Sequence, residues 1–501
     1  MAYHYSKRWF AALCLAASIP AAPALAQQGA VTIALPTTVQ TLDPHNTATV
    51  GTDLSVLSHI YPALIRRAAD LKLEPDLATS WEMLDDTTWR FKLNPAAKFE
   101  NGEKLDAAAV KWNVERVLDP KLAARIRSWF TLVKEVKVVD DTTVDIVTKS
   151  PFPALADQLS MFFLLPPKWA SENSPAKAAM PGGAYRVVEN VPDDHVTLEA
   201  RPDHWGKKAD IQKVTFRIIP EVSSRIAALN AGEVDLITAI PVTEIERINA
   251  AGAARADSVR STRTAFLKLN LSKKPMEAKA LRQALNYGVD KEAISEAIFG
   301  GRAQIAPCQL LTSDYFGFNP DLKAYPYDPE KARALIKQSG IDTSQPIELE
   351  IPVAVYLNAS EVVQAMASNY EELGLKVKIT ELDFGTFMTK QIKARDLAQM
   401  AFLTYAWATL DADGLLTLSA PGNVYDYWND AEFGKLLDAA RSTTDKAKRT
   451  ALYKEATARM CEEAPVVFLY VQPVTYGTSK RVDWHARGDD WLRATDMKIV
   501  K

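Results

Sequence analysis

The sequence predicts an α/β protein built from more than one lobe. Its 501 residues suffice for two or three lobes, each with a hydrophobic core of its own. Within residues 329–407, strand-like runs alternate with helical patterns of about 10 to 15 residues, the arrangement of an α/β lobe. Earlier in the chain, residues 214–237 read as strand, helix and strand, which predicts a partly parallel sheet.

The composition is that of an ordinary globular protein, and it excludes some classes of partner. Apolar residues make up 48% and charged residues 24% of the chain, and the formal net charge is −3. No run of lysine and arginine is long enough to bind nucleic acid or an anionic membrane. We therefore expect no nucleic-acid partner.

Residues 1–26 have the pattern of a cleaved secretory signal peptide. Lys7 and Arg8 precede an apolar run over residues 9–19, which is too short for a stable membrane anchor. A small-residue cleavage site, Ala-Leu-Ala, ends at Ala26. Cys14 lies inside the apolar run rather than at its end, so a lipoprotein anchor is not expected. We expect cleavage after Ala26 and export of a free protein.

One stretch, residues 78–116, organises the first half of the chain. Residues 88–93 alternate polar and apolar side chains, the period of a half-buried strand, and Asp85-Asp86 supplies the turn before them. Asp106 stands at the N-cap of a helix whose apolar residues share one face. The block reads ATSWEMLDDTTWRFKLNPAAKFENGEKLDAAAVKWNVER, and the apolar face consists of Val110, Val114, Val117 and Leu118.

Caps and turns predict several other elements. Residues 133–139 and 143–148 should pair as a hairpin. Asp53, Asp290 and Asp328 each precede a helical pattern and are expected to cap it. Residues 384–396 are predicted to form a helix, and residues 400–407 a strand.

The block over residues 78–116 resembles the hallmark of the bacterial family 5 extracellular solute-binding proteins, the peptide-, nickel- and opine-binding group of ABC transporters. That hallmark runs LA.SWE...D...W.F.LR..VKF.NG..L.A.DV.W...R, and this chain follows it nearly end to end. The stretches TLDPHN at 41–46 and RPDHW at 201–205 continue the resemblance. At 180–188 the chain reads MPGGAYRVV where the family has GTGPY, so a glycine turn and the tyrosine are retained although the other residues differ.

The resemblance implies a type II periplasmic binding protein, a two-lobed Venus-flytrap fold with an extra subdomain in lobe I. The expected boundaries are lobe I at 27–58, 180–264 and 473–501, the subdomain at 59–179, and lobe II at 265–472. Crossing strands near residues 263–266 and 470–473 would serve as hinges. It also implies the periplasm of a Gram-negative bacterium as the location, transient contact with an inner-membrane ABC permease, and a monomer.

No pattern in the sequence predicts catalysis. Motifs for a serine nucleophile, a zinc site, a redox dithiol and a phosphate-binding loop are all missing from the sequence. The six histidines are scattered, so we expect no metal, no cofactor and no catalytic residue. The rival classes are a secreted hydrolase that uses Asp411 or Asp413, and a periplasmic chaperone that would expose apolar grooves.

A binding cleft needs apolar walls and a few placed polar groups, and residues 401–428 supply both. The family's cleft strand has an aspartate three positions after a tryptophan, which holds the ligand's amine in its peptide binders. Counted from Trp407, that position is Leu410 here. Either Asp411 takes over this role or the ligand has no peptide-like amine. The expected ligand-binding residues are His45, Asn46, Trp129, Phe266, Tyr356, Tyr405, Trp407, Asp411, Asp413 and Tyr425.

Two questions stay open from the sequence. Cys308 and Cys461 form either a disulfide, as an oxidising compartment permits, or two separate buried thiols. The solute is a small polar compound: a short peptide, an opine-like or sugar-conjugated compound, or a metal chelate.

Overall fold

The computed structural model describes residues 29–353 and 355–500. The signal peptide predicted at 1–26 lies outside these ranges. The described residues form the strands β1 (Ala30–Leu35), β2 (Ile65–Arg67), β3 (Leu73–Pro75), β4 (Ala78–Asp85), β5 (Thr88–Leu93), β6 (Val133–Asp140), β7 (Thr143–Thr148), β8 (Tyr185–Val191), β9 (His195–Ala200), β10 (Lys213–Ile218), β11 (Leu236–Thr238), β12 (Ala254–Leu269), β13 (Gln304–Ile305), β14 (Pro346–Pro352), β15 (Lys376–Leu382), β16 (Met400–Tyr405), β17 (Val466–Ser479), β18 (Val482–Asp483) and β19 (Lys498–Ile499).

The helices cover the faces and ends of these strands. They are α1 (Ser55–Ile60), α2 (Ala107–Leu118), α3 (Leu155–Leu159), α4 (Pro167–Glu172), α5 (Val222–Asn230), α6 (Ile245–Ala251), α7 (Lys279–Tyr287), α8 (Lys291–Phe299), α9 (Pro329–Ser339), α10 (Ala359–Glu372), α11 (Phe384–Met388), α12 (Ala412–Leu416), α13 (Ala431–Arg441) and α14 (Lys446–Glu463). None of the helices in the described ranges is long and apolar enough to span a bilayer.

One large sheet runs through the whole molecule, in the order β15-β14-β16-β12-β17-β11-β1-β10-β9-β8. We call the part with β1 and β8–β11 the first lobe and the part with β14–β16 the second lobe. The strand β1 pairs in parallel with β10 and β11, and β14 pairs in parallel with β15 and β16. The predicted partly parallel, α/β architecture is therefore confirmed.

The strands β12 and β17 belong to both lobes, and their pairing breaks in the middle. Arg260 pairs with Pro473 and Thr264 with Val471, so three residues of β12 face the single residue Gln472. The Ser261 hydroxyl donates to the Gln472 carbonyl (2.6 Å) and fills this irregularity. A break in an otherwise continuous ladder at the lobe junction is where a hinge can flex. The hinge and the exact lobe boundaries stay predictions.

A separate four-stranded sheet, β4-β5-β7-β6, forms the predicted subdomain with α2 packed on it. Phe91 on β5 and Val110 and Val114 on α2 are buried in a common core. The Asp106 carboxylate accepts a hydrogen bond from the Ala109 amide (2.9 Å), so the predicted N-cap is confirmed. The predicted hairpin of β6 and β7 is also present.

Two local predictions are wrong. Asp53 does not cap a helix, because a π-helical turn (Val50–Leu54) precedes α1 and the Asp53 carboxylate accepts from the Thr47 hydroxyl (2.7 Å). The helix predicted over 384–396 is α11 followed by a second π-helical turn (Thr389–Ala394). In both places a polar or bulged turn replaces regular α-helix, which periodicity alone does not reveal. Cys308 and Cys461, whose pairing was left open, are joined by a disulfide.

The Asp106 cap yields a test of the subdomain. Asp106→Ala should lower the free energy of unfolding by about 1 kcal/mol, because an amide at the first turn of α2 loses its acceptor. Asp106→Asn is the matched control, since asparagine caps about as well as aspartate. Urea unfolding followed by circular dichroism measures both. Equal losses for the two variants would contradict the capping role.

Candidate ligand-binding cleft

A cavity of about 450 Å³ lies at the break in the β12–β17 ladder. This volume is within the roughly 300–1,000 Å³ typical of small-molecule sites. Both lobes, the subdomain, the hinge region and the carboxyl-terminal tail each contribute part of its wall. The lining residues are 48–51, Trp129, Gln158, Met161, 262–263, 406–408 and 489–490.

The structure brings two of the predicted residues, Trp129 and Trp407, to this cavity. Trp407 lies beyond the end of β16 at Tyr405, so the strand predicted to reach it stops two residues earlier. The Trp407 amide donates to the Tyr315 hydroxyl (2.6 Å). A side chain at Gly414 would place its Cβ 2.1 Å from the Trp407 indole, so glycine is required for the ring to sit there. Two aromatic rings therefore wall the cleft from opposite lobes.

Phe266, Tyr356, Tyr405 and Tyr425 do not line this cavity. Tyr405 packs edge-on against Phe266, with the ring centroids 5.0 Å apart. Tyr356 packs on Phe402 and lines a neighbouring cavity of about 280 Å³. These aromatic rings therefore pack within the second lobe. They do not line the cavity together with Trp407, as a strand that continued from Tyr405 to Trp407 would have allowed.

At the centre of this aromatic group lies Lys268 of β12. Its ammonium donates to the Tyr425 carbonyl (2.6 Å) and the Tyr405 hydroxyl (3.2 Å). Burial lowers the pKa of Lys268 to about 7, because the charged form loses its hydration. Burial likewise raises the pKa of Tyr405, which therefore stays a neutral phenol at physiological pH.

Asp411 and Asp413 are both held in ion pairs inside the second lobe. Arg449 donates to both oxygens of Asp411 (2.7 and 2.6 Å), and Arg441 contacts Asp413 (2.9 Å). Burial raises the pKa of Asp411 to about 6, although the adjacent Arg449 opposes this shift. Neither carboxylate lines the cavity. A bidentate pair of this kind is costly to break, so these acids are poorly placed to bind a ligand amine or to act in hydrolysis.

Leu410 occupies the position where the family has its amine-binding aspartate. Its side chain is buried in the core of the second lobe with Leu415 and Tyr453. Its backbone is left-handed, with φ of 54°. The chain therefore carries no charge at position 410, which lies in the core and does not line the cavity.

His45 is buried in the first lobe, and Asn46 is exposed beside it. Arg116 donates to His45 Nδ1 (2.6 Å) and pairs with Asp43 (2.7 Å), so Nε2 carries the proton and donates to the Phe163 carbonyl (3.0 Å). Burial lowers the pKa of His45 to about 4. Neither residue lines the cavity, and His45 instead connects the loop to α2.

Among the polar residues of the cavity wall that were not predicted as ligand contacts are Arg263, Gln158 and Asp490. Arg263 was noted only as part of the hinge. Gln158 lies on α3, whose polar residues give no sequence signal for binding. Asp490 belongs to the carboxyl-terminal tail, which no local pattern connects to the hinge. The structure alone brings these three side chains to one cavity.

The tail reaches the hinge through a close backbone contact. The Thr262 amide donates to the Gly488 carbonyl (2.9 Å), and a Cβ at Gly488 would stand 2.4 Å from the Arg260 carbonyl oxygen. Asp489, next in the chain, is held by Arg487 through two hydrogen bonds (2.9 and 2.8 Å). These contacts fix the position of Asp490 beside β12.

The chain is similar to known proteins. Residues 72–426 match the model of the bacterial extracellular solute-binding proteins, family 5 Middle. The chain belongs to this family. Family 5 solute-binding proteins are transport binders rather than enzymes.

Two curated relatives and one solved structure illustrate the likeness of this family 5 solute-binding protein. The glutathione-binding protein GsiB of Pectobacterium atrosepticum is 28% identical over 95% of both chains. The dipeptide-binding protein of Escherichia coli is 28% identical over 79% of this chain and 80% of its own. The substrate-binding protein CtaP of Listeria monocytogenes superposes with a TM-score of 0.86 at 24% identity, covering 94% of this chain and 99% of its own. The predicted two-lobed periplasmic binding protein fold is confirmed.

The side chains that the structure describes can be compared with the requirements of a metal site. Across residues 29–353 and 355–500, no group of three or more His, Cys, Asp or Glu side chains could hold a metal ion.

Acid should destabilise the protein partly through His45. Its pKa falls from 6.5 unfolded to about 4 folded, so its contribution is complete above pH 6.5 and is lost as the pH falls toward 4. We expect His45→Gln to remove up to about 1.4 kcal/mol per pH unit from the acid-side slope of the unfolding free energy. Glutamine can keep both hydrogen bonds. Urea unfolding at a series of pH values measures the slope.

His195→Gln is the control with the opposite sign. Hydrogen bonds with Asp194 and Glu189 raise the pKa of His195, so this residue stabilises the protein below pH 6.5 and the benefit is lost as the pH rises through the raised pKa. Its removal should lower the stability by a constant amount below pH 6.5 and leave the slope between pH 4 and 6.5 unchanged. Identical slopes for the two variants would contradict the assignment of neutral His45.

The glycine beneath Trp407 can be tested separately. Gly414→Ala should lower the unfolding midpoint because the new Cβ collides with the indole, although Ala is favoured over Gly in a helix by about 1 kcal/mol. Gly385→Ala in α11 is the matched helical control, since its nearest neighbour is the flexible Asp383 side chain at 3.3 Å. Thermal unfolding measures both variants. A higher midpoint for Gly414→Ala would show that the Trp407 indole does not lie against residue 414.

Proposed function

We propose that this protein is the periplasmic substrate-binding component of an ABC importer, which captures a small polar solute between its lobes and delivers it to the permease. The observation that carries the proposal is the 450 Å³ cavity at the crossing of β12 and β17, walled by both lobes. A site shared between lobes binds tightly only when they are together, so the ligand favours the closed form.

Contacts between the subdomain and the second lobe support a closing motion. The Arg67 guanidinium donates to the Thr409 carbonyl (2.7 Å) and pairs with Asp157 (2.7 Å). The Thr444 hydroxyl donates to Asp86 across the same boundary (2.7 Å). These polar contacts, with Leu71 packed against the core of the second lobe, join surfaces that are far apart in sequence. Interfaces of this polar kind between domains commonly permit relative motion.

The solute class we propose is a short peptide or a peptide-like or opine-like compound. Relatives named for glutathione and for dipeptides, each 28% identical, support this class. Trp129 and Trp407 would contact the apolar portions of such a solute, and Gln158 and the charged wall its polar groups. The location in the periplasm, the monomeric state and the transient permease contact are parts of the same proposal.

Trp407→Ala tests this function. We expect it to weaken solute binding about 10-fold or more, because a buried aromatic wall contributes on the order of 2 kcal/mol. Native mass spectrometry of freshly purified protein identifies the solute that co-purifies, and isothermal titration with that solute measures affinity. Trp169→Ala, on α4 away from the cavity, is the matched control. Turnover of the solute, or equal affinity for both variants, would contradict the proposal.

A further inference from the structure

We propose that Arg263 and Asp490 together bind the ammonium and the carboxylate of an α-amino-acid head group, in which both charges are attached to one carbon. This inference rests on the proposed function and names the ligand chemistry of the same cleft. Neither residue was predicted to contact ligand, and they approach each other from β12 and from the carboxyl-terminal tail.

Arg263 is a cation with most of its hydrogen-bonding capacity unused. A guanidinium carries five N–H donors. Within the described ranges, its side chain makes one long hydrogen bond, to the Thr404 hydroxyl (3.4 Å), and one charged contact, with Asp490 (3.6 Å). The side chain remains 31% exposed, on the cavity side of β12. Its free donors match the fork geometry of a carboxylate.

Asp490 is the complementary anion. Among the residues that the structure describes, Arg263 is its one ion-pair partner, and 3.6 Å is too long for a hydrogen bond. Its backbone is left-handed, with φ of 63°, a conformation that side chains other than glycine adopt at a cost. Its neighbour Asp489 is neutralised by Arg487. The cavity wall thus offers one available positive and one available negative charge.

The distance between Arg263 and Asp490 determines how far apart the two charges of a ligand can be. Because the two groups lie only 3.6 Å apart, they can bind opposite charges that also lie side by side. An α-amino-acid head group has this arrangement, since its ammonium and carboxylate share one carbon. The termini of an α-linked dipeptide are separated by a whole peptide unit, so they cannot both reach this pair.

The remaining wall suits the rest of such a molecule. Gln158 is 6% exposed, and its side-chain amide makes no hydrogen bond within the described ranges, so it is free to bind a polar group in the cavity. Met161, Trp129 and Trp407 provide apolar contact area. The γ-glutamyl peptides, opines and free amino acids all carry the proposed head group and differ only in this second part.

Two isomeric probes test the inference. The γ-linked dipeptide γ-Glu-Gly has an α-amino-acid head group, whereas α-Glu-Gly has the same composition and net charge without one. We expect isothermal titration to show that γ-Glu-Gly binds about 10-fold or more tightly than α-Glu-Gly, because its head group can form charge-assisted hydrogen bonds with both residues. L-Glutamine, a third probe, distinguishes a free amino acid from a longer ligand, and binding of either head-group compound supports the inference.

Variants assign the effect to the two residues. Asp490→Asn and Arg263→Gln should each weaken γ-Glu-Gly binding about 10-fold or more, and asparagine tolerates the left-handed backbone at 490. The matched controls are Arg260→Gln, whose side chain pairs with Asp314 outside the cavity, and Asp483→Asn, which is exposed on β18. Circular dichroism and thermal unfolding confirm that each variant is folded.

The outcomes separate the inference from the proposed function. Equal binding of the two isomers, no binding of γ-Glu-Gly and none of L-glutamine at millimolar concentration, or unchanged affinity in both Arg263→Gln and Asp490→Asn overturns the inference. If a co-purified solute still binds in a Trp407-dependent manner, the proposed function stands. If the protein binds no solute at all, both fail.

Discussion

The ladder between β12 and β17 is the interaction on which this architecture depends. Within the described residues, β17 pairs with β11 of the first lobe and β12 pairs with β16 of the second lobe, so the pairing of β12 with β17 joins the two lobes in one sheet. Their pairing is interrupted opposite Gln472, within the one sheet that the lobes share. The cavity lies at this interruption. The fold, the predicted hinge and the proposed binding site would therefore have a common physical origin.

Charged residues inside the two lobes are paired differently from those near this junction. The acids of the second lobe, Asp411 and Asp413, are neutralised by arginines of neighbouring helices, which keeps α12 attached to its core. Arg116 does the same for Asp43 in the first lobe. Among the arginine–aspartate pairs of residues 29–353 and 355–500, Arg263 and Asp490 near the predicted hinge are the ones without close contact. The charges that stabilise the lobes are thus separate from the pair that lines the cavity.

Much of the fold could be predicted from the sequence because its signals are local. Alternation along β5, the Asp106 cap and the β6–β7 hairpin depend on neighbouring residues, and they were predicted correctly. The break after Tyr405 was not, because tertiary contacts of Trp407 with Tyr315 and Gly414 override the strand pattern. The site was predicted in part: Trp129 and Trp407 line the cleft, whereas the other aromatic residues lie behind it. Arg263 and Asp490 are 227 positions apart, and no periodicity connects them.

The contact between Gly488 and the hinge has a consequence for the end of the chain. Residues 484–497 are not an appendage, since Gly488 receives a hydrogen bond from Thr262 and the tail carries part of the cavity wall. A frameshift or a cut near the carboxyl terminus would spare almost every strand of both lobes and still remove one side of the chamber. The last few per cent of the polypeptide therefore builds the cavity wall together with the strands that connect the lobes.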